Sequence, residues 1–220
     1  MIQIKDLTIQ YQLEINENFK ALSNISLTIN DYENVALIGR NGSGKSTLLR
    51  AIAGVYHPVR GHVKLSGLPL TIFDISLGIE KEESGFNNAV IKGLYYGLTE
   101  QEIILNMDKI EKFSELGDFF YKPVRTYSAG MRARLAFSIL TLINNYEIYL
   151  VDEVMGVGDK FFNKKAKDLI KSKSSSCKNF ILASHGDKLL KDYCNKGLWL
   201  EQGKIQMYDD LDIVLEAYNK

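Results

Sequence analysis

Two cysteines and three prolines in 220 residues, and 27 Lys plus Arg set against 27 Asp plus Glu, define what this chain cannot readily be. Cys177 and Cys194 are too few for a disulfide scaffold and lack the spacing of a metal or redox motif, so they read as free thiols in a reducing compartment. Zero formal charge removes the overall field that gathers polyanions, which argues against a dedicated nucleic-acid binder. No stretch has the apolar length of a bilayer span, and the opening Met1-Ile-Gln-Ile-Lys-Asp6 has neither the basic start nor the apolar run of a secretory leader. Internal repeats, low-complexity tracts and proline-rich linkers are absent too. The expectation is one globular domain with a substantial core, since 45% of the residues are hydrophobic, either cytosolic or held at a membrane through something else.

What is present is patterned. Ile2, Ile4, Leu7, Ile9 and Tyr11 roughly alternate with polar residues; Ile25, Leu27 and Ile29 do so strictly, and Val63 and Leu65 keep the same period, as half-buried antiparallel strands do. Val35 to Ile38, Ile148 to Val151 and Phe180 to Ala183 are instead continuous apolar runs, expected of central strands covered on both faces. Each run ends at residues suited to a ligand: Gly39, Asp152-Glu153 and Ser184-His185. Ligands of open α/β sheets sit beyond the carboxyl ends of the strands, so these three pieces should converge. Between about Phe86 and Asn145 the period changes: Ile103, Ile104, Met107, Ile110 and Phe113 have helical spacing. An α/β fold follows, with a sheet-bearing part at 1–85 and 146–220 and a helical insertion at 86–145. A hairpin at Gly197 to Tyr208 and a helix at Leu211 to Tyr218 close the chain.

The segment Gly39-Arg-Asn41-Gly42-Ser43-Gly44-Lys45-Ser46-Thr47 lies between an apolar run and a helical pattern, which is the setting of a phosphate-binding loop. Its glycines let successive N–H groups and the helix N-terminus point at phosphate oxygens. Lys45 is placed to reach the β- and γ-phosphates of a nucleotide, and the Ser46 hydroxyl to take one site on Mg2+. Asp152, ending its strand, fits the aspartate that holds Mg2+, usually through water. Glu153, directly after it, is placed to orient and polarise an attacking water; a strand-terminating acidic pair is the plain alternative. Upstream, Tyr127-Ser128-Ala129-Gly130-Met131 opens an amphipathic helix over Arg132 to Ile143, with Ser128 as its cap or as part of a second phosphate cradle.

Phosphate loop, Ser-x-Gly signature, Asp-Glu strand end and downstream histidine, in that order and over essentially the whole chain, resemble the nucleotide-binding subunits of ATP-binding-cassette (ABC) transporters. The usual signature is Leu-Ser-Gly-Gly-Gln; this chain departs from it at three of five positions and keeps Ser128 and Gly130. Tyr127 to Phe137 and Asp152-Glu-Val-Met-Gly-Val-Gly-Asp159 look like the branch that exports capsular and O-antigen polysaccharides, with teichoic acid exporters close by. The resemblance implies the ABC ATPase fold: a P-loop (RecA-like) core sheet, an antiparallel β subdomain and an inserted α-helical signature subdomain. It also implies ATP and Mg2+, and two copies arranged head to tail, each phosphate loop facing the other copy's Ser128 and Gly130. One compact domain cannot close both cradles on a single γ-phosphate.

By the same resemblance His185 hydrogen-bonds the γ-phosphate, a structural strand-end histidine being the plain alternative, and Asp159 crosses the dimer interface unless it is merely a solvated loop residue. Asn41, Gly42, Ser43, Gly44 and Thr47 line the nucleotide. Tyr11 stacks on adenine, or else is only the last inward residue of its strand. The glutamine that normally couples Mg2+ to the membrane partner is missing, with Asp74 or Ser76 nearest its place. The helix from Phe86 to Tyr96 is either the contact for a polytopic transmembrane permease or simply subdomain core, while Arg132 and Arg134 add charge near the signature or are solvated. The implied function is an ATP-hydrolysing subunit that energises export of a cell-surface polysaccharide of capsule or O-antigen type. It would sit peripherally on the cytoplasmic face of the inner (plasma) membrane, touching the membrane only through the permease and binding no nucleic acid. The end at Lys220 leaves no room for the carbohydrate-binding domain of some O-antigen exporters and favours the short, capsule-like type. The alternatives are an exporter of another substrate (teichoic acid, lipid, drug) and a soluble non-transport ABC protein.

Overall fold

The computed structural model describes residues 1–14, 17–73, 78–152, 160–184 and 186–220. In chain order the elements are β1 (Ile2–Glu14), β2 (Glu17–Ile29), β3 (Asn34–Ile38), α1 (Lys45–Ile52), β4 (Arg60–Leu65) and β5 (Pro69–Ile72). Next come α2 (Gly85–Tyr95), α3 (Glu100–Leu105), α4 (Met107–Ser114), α5 (Ala129–Leu140), β6 (Ile148–Asp152) and α6 (Lys160–Ser176). The chain finishes with β7 (Asn179–Ala183), α7 (Asp187–Tyr193), β8 (Lys196–Glu201), β9 (Lys204–Asp210) and α8 (Leu211–Tyr218). They form two compact units: Met1–Phe73 with Tyr146–Glu153 and Lys171–Lys220, and Asp74–Asn145 with Val154–Ile170.

The first unit holds both sheets. A three-stranded antiparallel sheet runs β2-β1-β4. Its alternation is imperfect in sequence because Asp6 and Asn24 are left-handed bulge residues, with φ of 49° and 53°. Pairing jumps there from Ile4↔Leu27 to Leu7↔Ile25, so Ile2, Ile4, Leu7 and Ile9 all face inward despite the skipped position. The second sheet runs β5-β6-β7-β3-β8-β9, parallel from β5 to β8 with β9 antiparallel. Every residue of β7 is buried, which is why that strand reads as an unbroken run. β8 and β9 turn through Gln202 and Gly203, both at positive φ (48° and 71°), the backbone a two-residue hairpin loop demands.

The second unit packs α2 to α5 around Ile103, Ile110, Phe120, Val124, Leu135 and Ile139, all fully buried. Its bounds differ from those drawn on sequence: it begins at Asp74 rather than 86 and takes in Val154–Ile170. Two contacts account for this. Asn88, wholly buried on α2, donates from Nδ2 to Glu80 O and Ser84 O at 2.9 Å and accepts from Glu80 N at 2.7 Å, which binds the preceding segment to the helix. Phe162 of α6 packs edge-on against Phe113 and Phe137, at 5.8 and 6.0 Å between ring centres.

Three further readings change. The helix expected at Arg132 to Ile143 is α5, starting at Ala129 and ending at Leu140. Leu135 to Leu140 are all buried, so its second half is enclosed on every side instead of being amphipathic. β5 had no sequence signal, because it is four residues long and opens with a proline, a combination confined to edge or strand-start positions. α6 and α7 were not anticipated either.

Candidate active site

The loop from Gly39 to Gly44 leaves the carboxyl end of β3 and enters α1 in a conformation that its glycines alone make accessible. Gly39, Gly42 and Gly44 have φ of 149°, 80° and 106°. A Cβ on Gly39 would lie 2.2 Å from Leu200 O, and one on Gly44 2.8 Å from Leu22 Cδ2, so the loop is both strained and hemmed in. Lys45, buried at 8% exposure, donates from Nζ to Gly39 O at 2.6 Å and to Arg40 O at 3.1 Å. Those two carbonyls seat the ammonium inside the loop's curl. The first-turn N–H groups of α1 have no acceptor within the helix and lie at the positive end of its dipole. Ser43 Oγ is buried and has no hydrogen-bond partner among the described residues. A curl of donors with a buried hydroxyl facing nothing fits a phosphate chain.

Asn41, Gly42, Gly44, Lys45, Ser46 and Thr47 line a cleft of about 570 Å³ together with Asp152, Tyr11, Phe19, Ala21 and Phe73, all within the first unit. Asp152 reaches it because β6 ends in register with Ala183 of β7, whose other neighbour is β3. Ser46 and Asp152 thus offer hard oxygens to the same space, and among the described residues no group of three His, Cys, Asp or Glu could hold a metal alone. Mg2+ fits such a place, since it takes one or two protein oxygens and completes its shell with phosphate and water.

Tyr11 stands at the other end of the cleft. Its hydroxyl lies 3.1 Å from Thr47 Oγ1 and its ring meets Tyr56 edge-on at 5.4 Å. Burial holds its phenol above the usual range, so it stays neutral. Directly across the strand pair is Phe19, half exposed, on the same face. Phe19 and Phe73 were missed on sequence: the register that sets Phe19 beside Tyr11 depends on the bulges, and nothing local marks Phe73.

Gly203 was also missed. Its N–H donates to Ser43 O at 3.0 Å, its carbonyl accepts from Ser23 N at 2.9 Å, and a Cβ there would come within 2.5 Å of Ala21 O. The hairpin turn is therefore a backbone prop under the phosphate loop.

In the second unit Ser128 caps α5, its Oγ accepting from Met131 N at 3.2 Å. Ser128 and Gly130 line a separate cavity of about 400 Å³ with Glu115, Leu116, Phe119, Met131 and Arg134. The two arginines are not simply solvated: Arg132 Nη1 donates to Tyr127 O at 2.7 Å, and Arg134 pairs with Glu115 at 3.0 Å. On α2, Phe86 packs into the unit's core beside Phe120, whereas Ile91, Leu94 and Tyr95 are exposed, as are Ile104 and Leu105 of α3. Phe86 thus belongs to the subdomain core, while the same helix also carries exposed apolar side chains. Cys177 and Cys194 are free thiols, and burial pushes the Cys177 thiol up to about 11. Glu153, His185, Asp159, Asp74 and Ser76 lie outside the described residues.

A family model described as ABC transporter matches residues 22–156. The chain is 37% identical to the teichoic acids export ATP-binding protein TagH of Staphylococcus saprophyticus over 218 residues, 99% of this chain and 81% of that one. It is equally similar to the TagH protein of Bacillus anthracis, of which it spans 39%. The O-antigen export system ATP-binding protein RfbB of Myxococcus xanthus is 39% identical over 84% of this chain and 42% of its own length. Among solved structures, a dimeric ATP-binding cassette in a post-hydrolysis state bound to ADP and Pi superposes with a TM-score of 0.78 at 21% identity, over 96% of this chain and 99% of that one. An ATP binding subunit of an ABC transporter gives 0.80 at the same identity, over 100% and 93%. At that identity the likeness is one of fold.

Proposed function

Because this chain belongs to the ABC transporter family, we propose that it is the ATP-hydrolysing subunit of an exporter of a cell-surface polysaccharide of teichoic acid or O-antigen type, working through a separate transmembrane subunit. The observation that carries the ATPase half is the meeting of the glycine loop, Lys45, Ser46 and Asp152 in one cleft at the carboxyl ends of β3 and β6, the two strands that flank β7. Teichoic acid stands beside O-antigen because relatives matching 99% of this chain bear that name, whereas capsule export has only the motif resemblance behind it.

The residues divide the work as follows. Lys45, seated by Gly39 O and Arg40 O, lays its charge against the β- and γ-phosphates, and the N–H groups of the loop follow the phosphate chain. Ser46 and Asp152 would hold Mg2+, which neutralises charge on the phosphate oxygens. Glu153 orients the attacking water, and His185 meets the γ-phosphate. Ser128, the Gly130 backbone and the α5 N-terminus make a second anion cradle, supplied to a given ATP by the other copy of the chain. No helix among the described residues is long and apolar enough to cross a membrane, so placement on the cytoplasmic face falls to the transmembrane partner. The exposed Ile91, Leu94 and Tyr95 on α2 are apolar surface for it.

The test is genetic. Deleting the gene in its host is expected to remove the polymer from the cell surface while its lipid-linked precursor accumulates inside, with restoration by the wild-type chain. A deletion that leaves every surface polysaccharide in place would transfer the chain to an exporter of another substrate.

Tyr11 is read as the adenine platform. Tyr11→Ala should weaken ATP binding by about tenfold, at the lower end of the roughly 1–3 kcal/mol that base–aromatic stacking contributes. Tyr11→Phe keeps the ring, loses the hydroxyl's hydrogen bonds to Thr47 and Tyr56, and should stay within about threefold. Titration with a fluorescent ATP analogue separates the cases; equal affinity for Tyr11→Ala and wild type would return Tyr11 to the role of a strand residue.

A further inference from the structure

We infer that Glu115 is a positioning residue for ATP hydrolysis: its carboxylate ties the signature-bearing helix α5 to α6 and so holds Ser128 and Gly130 in register for the phosphate they receive. Glu115 ends α4 in a left-handed conformation, with φ 52° and ψ 34°. Its Oε2 accepts from Arg134 Nη1 at 3.0 Å, and its Oε1 accepts from Lys165 Nζ. Arg134 lies about two turns beyond Ser128 on α5. Its guanidinium is 5.1 Å from the centre of the Phe162 ring, and Phe162 is a fully buried residue of α6. Lys165 belongs to α6 as well, and its ammonium lies 5.7 Å from the Phe113 ring of α4. Three helices therefore meet at one carboxylate, and Glu115, Arg134, Phe162 and Lys165 all lie within the second unit.

Two facts make this more than a surface ion pair. Arg134 is only 18% exposed, its planar fork fixed by a carboxylate on one side and an aromatic face on the other. Glu115 and Arg134 also line the cavity of Ser128 and Gly130, so a shift of the arginine is felt where the second phosphate cradle lies. Lys165 first, then Arg134, keeps the Glu115 carboxyl below the usual carboxylate range, so the charge persists at working pH. Removing that charge takes from Arg134 and Lys165 the carboxylate they share, at the edge of the cradle.

This inference rests on the two-copy reading above, and its test keeps the two apart. In the full-length chain, Glu115→Gln should lower kcat about tenfold and leave the affinity of the isolated chain for fluorescent ATP within about twofold, since the phosphate loop belongs to the other unit. The thermal midpoint should move by no more than about 4 °C, because the Glu115 and Lys165 side chains are each 43% exposed and solvent takes over much of the lost carboxylate's role. Glu115→Asp should recover most of the loss. Glu115→Gln combined with Arg134→Met should be no slower than the slower single variant, because the two side chains act as one unit. A kcat at the wild-type level, or losses that simply add, would overturn the assignment. In a Glu153→Gln background, ATP-driven dimerisation is expected to need about tenfold more ATP when Glu115→Gln is added. If Glu153→Gln alone fails to dimerise with ATP, the two-copy reading falls and takes this inference with it. If it dimerises and the added change has no effect, this inference falls alone.

Discussion

Lys45→Ala is expected to weaken ATP binding by at least about a hundredfold and to abolish measurable hydrolysis. The side chain supplies charge-assisted hydrogen bonds to phosphate oxygens, worth roughly 1.5–3 kcal/mol each, and tenfold in affinity corresponds to about 1.4 kcal/mol. The structure adds a second cost. Nζ already bonds Gly39 O and Arg40 O, so deletion also takes a donor from two carbonyls of the loop that must cradle the phosphates. The two effects separate in thermal unfolding. Without nucleotide, the variant should be destabilised by about 1–2 kcal/mol, the worth of the lost bonds. With ATP at about a hundred times the wild-type Kd, the wild type should gain about 2.7 kcal/mol and the variant less than about 0.5. Equal gains in both would mean that nucleotide does not bind at this loop. Mixing Lys45→Ala with a bulky substitution at Ser128 should restore one composite site per mixed dimer; no regain of activity would refute the head-to-tail pairing.

Glu153→Gln is the second large effect. Exchanging the carboxylate for an amide of the same shape removes the group that polarises water, and general base catalysis is typically worth about 10²–10⁴ in rate. ATP binding should persist, because the phosphate loop, Ser46 and Asp152 are untouched. Binding without turnover should hold two chains together around unhydrolysed ATP, visible as a doubling of mass on a sizing column with ATP and its absence without. Steady-state hydrolysis at the wild-type rate would remove Glu153 from the water-orienting role.

The parts of this molecule readable in advance are those whose physics is local. β3, β6 and β7 announce themselves because a strand covered on both faces has to be apolar at every position. The phosphate loop announces itself because left-handed backbone beside crowding atoms admits only glycine. α6 was silent for an equally physical reason: its inward residues Phe162, Ala166 and Ile170 come one per turn among six lysines, a stripe too narrow to stand out from a solvated segment. Pairings that span the chain were silent as well. Phe19 reaches Tyr11 only through a register that shifts three times between Ile4 and Gln10, and Glu115 meets Lys165 across fifty positions. The helical insertion was recognised but cut too short, since Asn88 and Phe162 draw flanking chain into it.

The prop of Gly203 beneath Ser43 also bears on the order in which a ribosome makes this protein. The phosphate loop is among the first segments to emerge, yet the strand that carries it is flanked by β7 and β8, and its floor is the turn that follows β8. Nearly the whole chain must be synthesised before any of those supports exists. The nascent chain thus displays a glycine-rich loop with no sheet to fix it, and the nucleotide grip is completed only by the last hairpin. A chain arrested before Gly203 carries the whole phosphate-loop motif in its sequence without the backbone that shapes it.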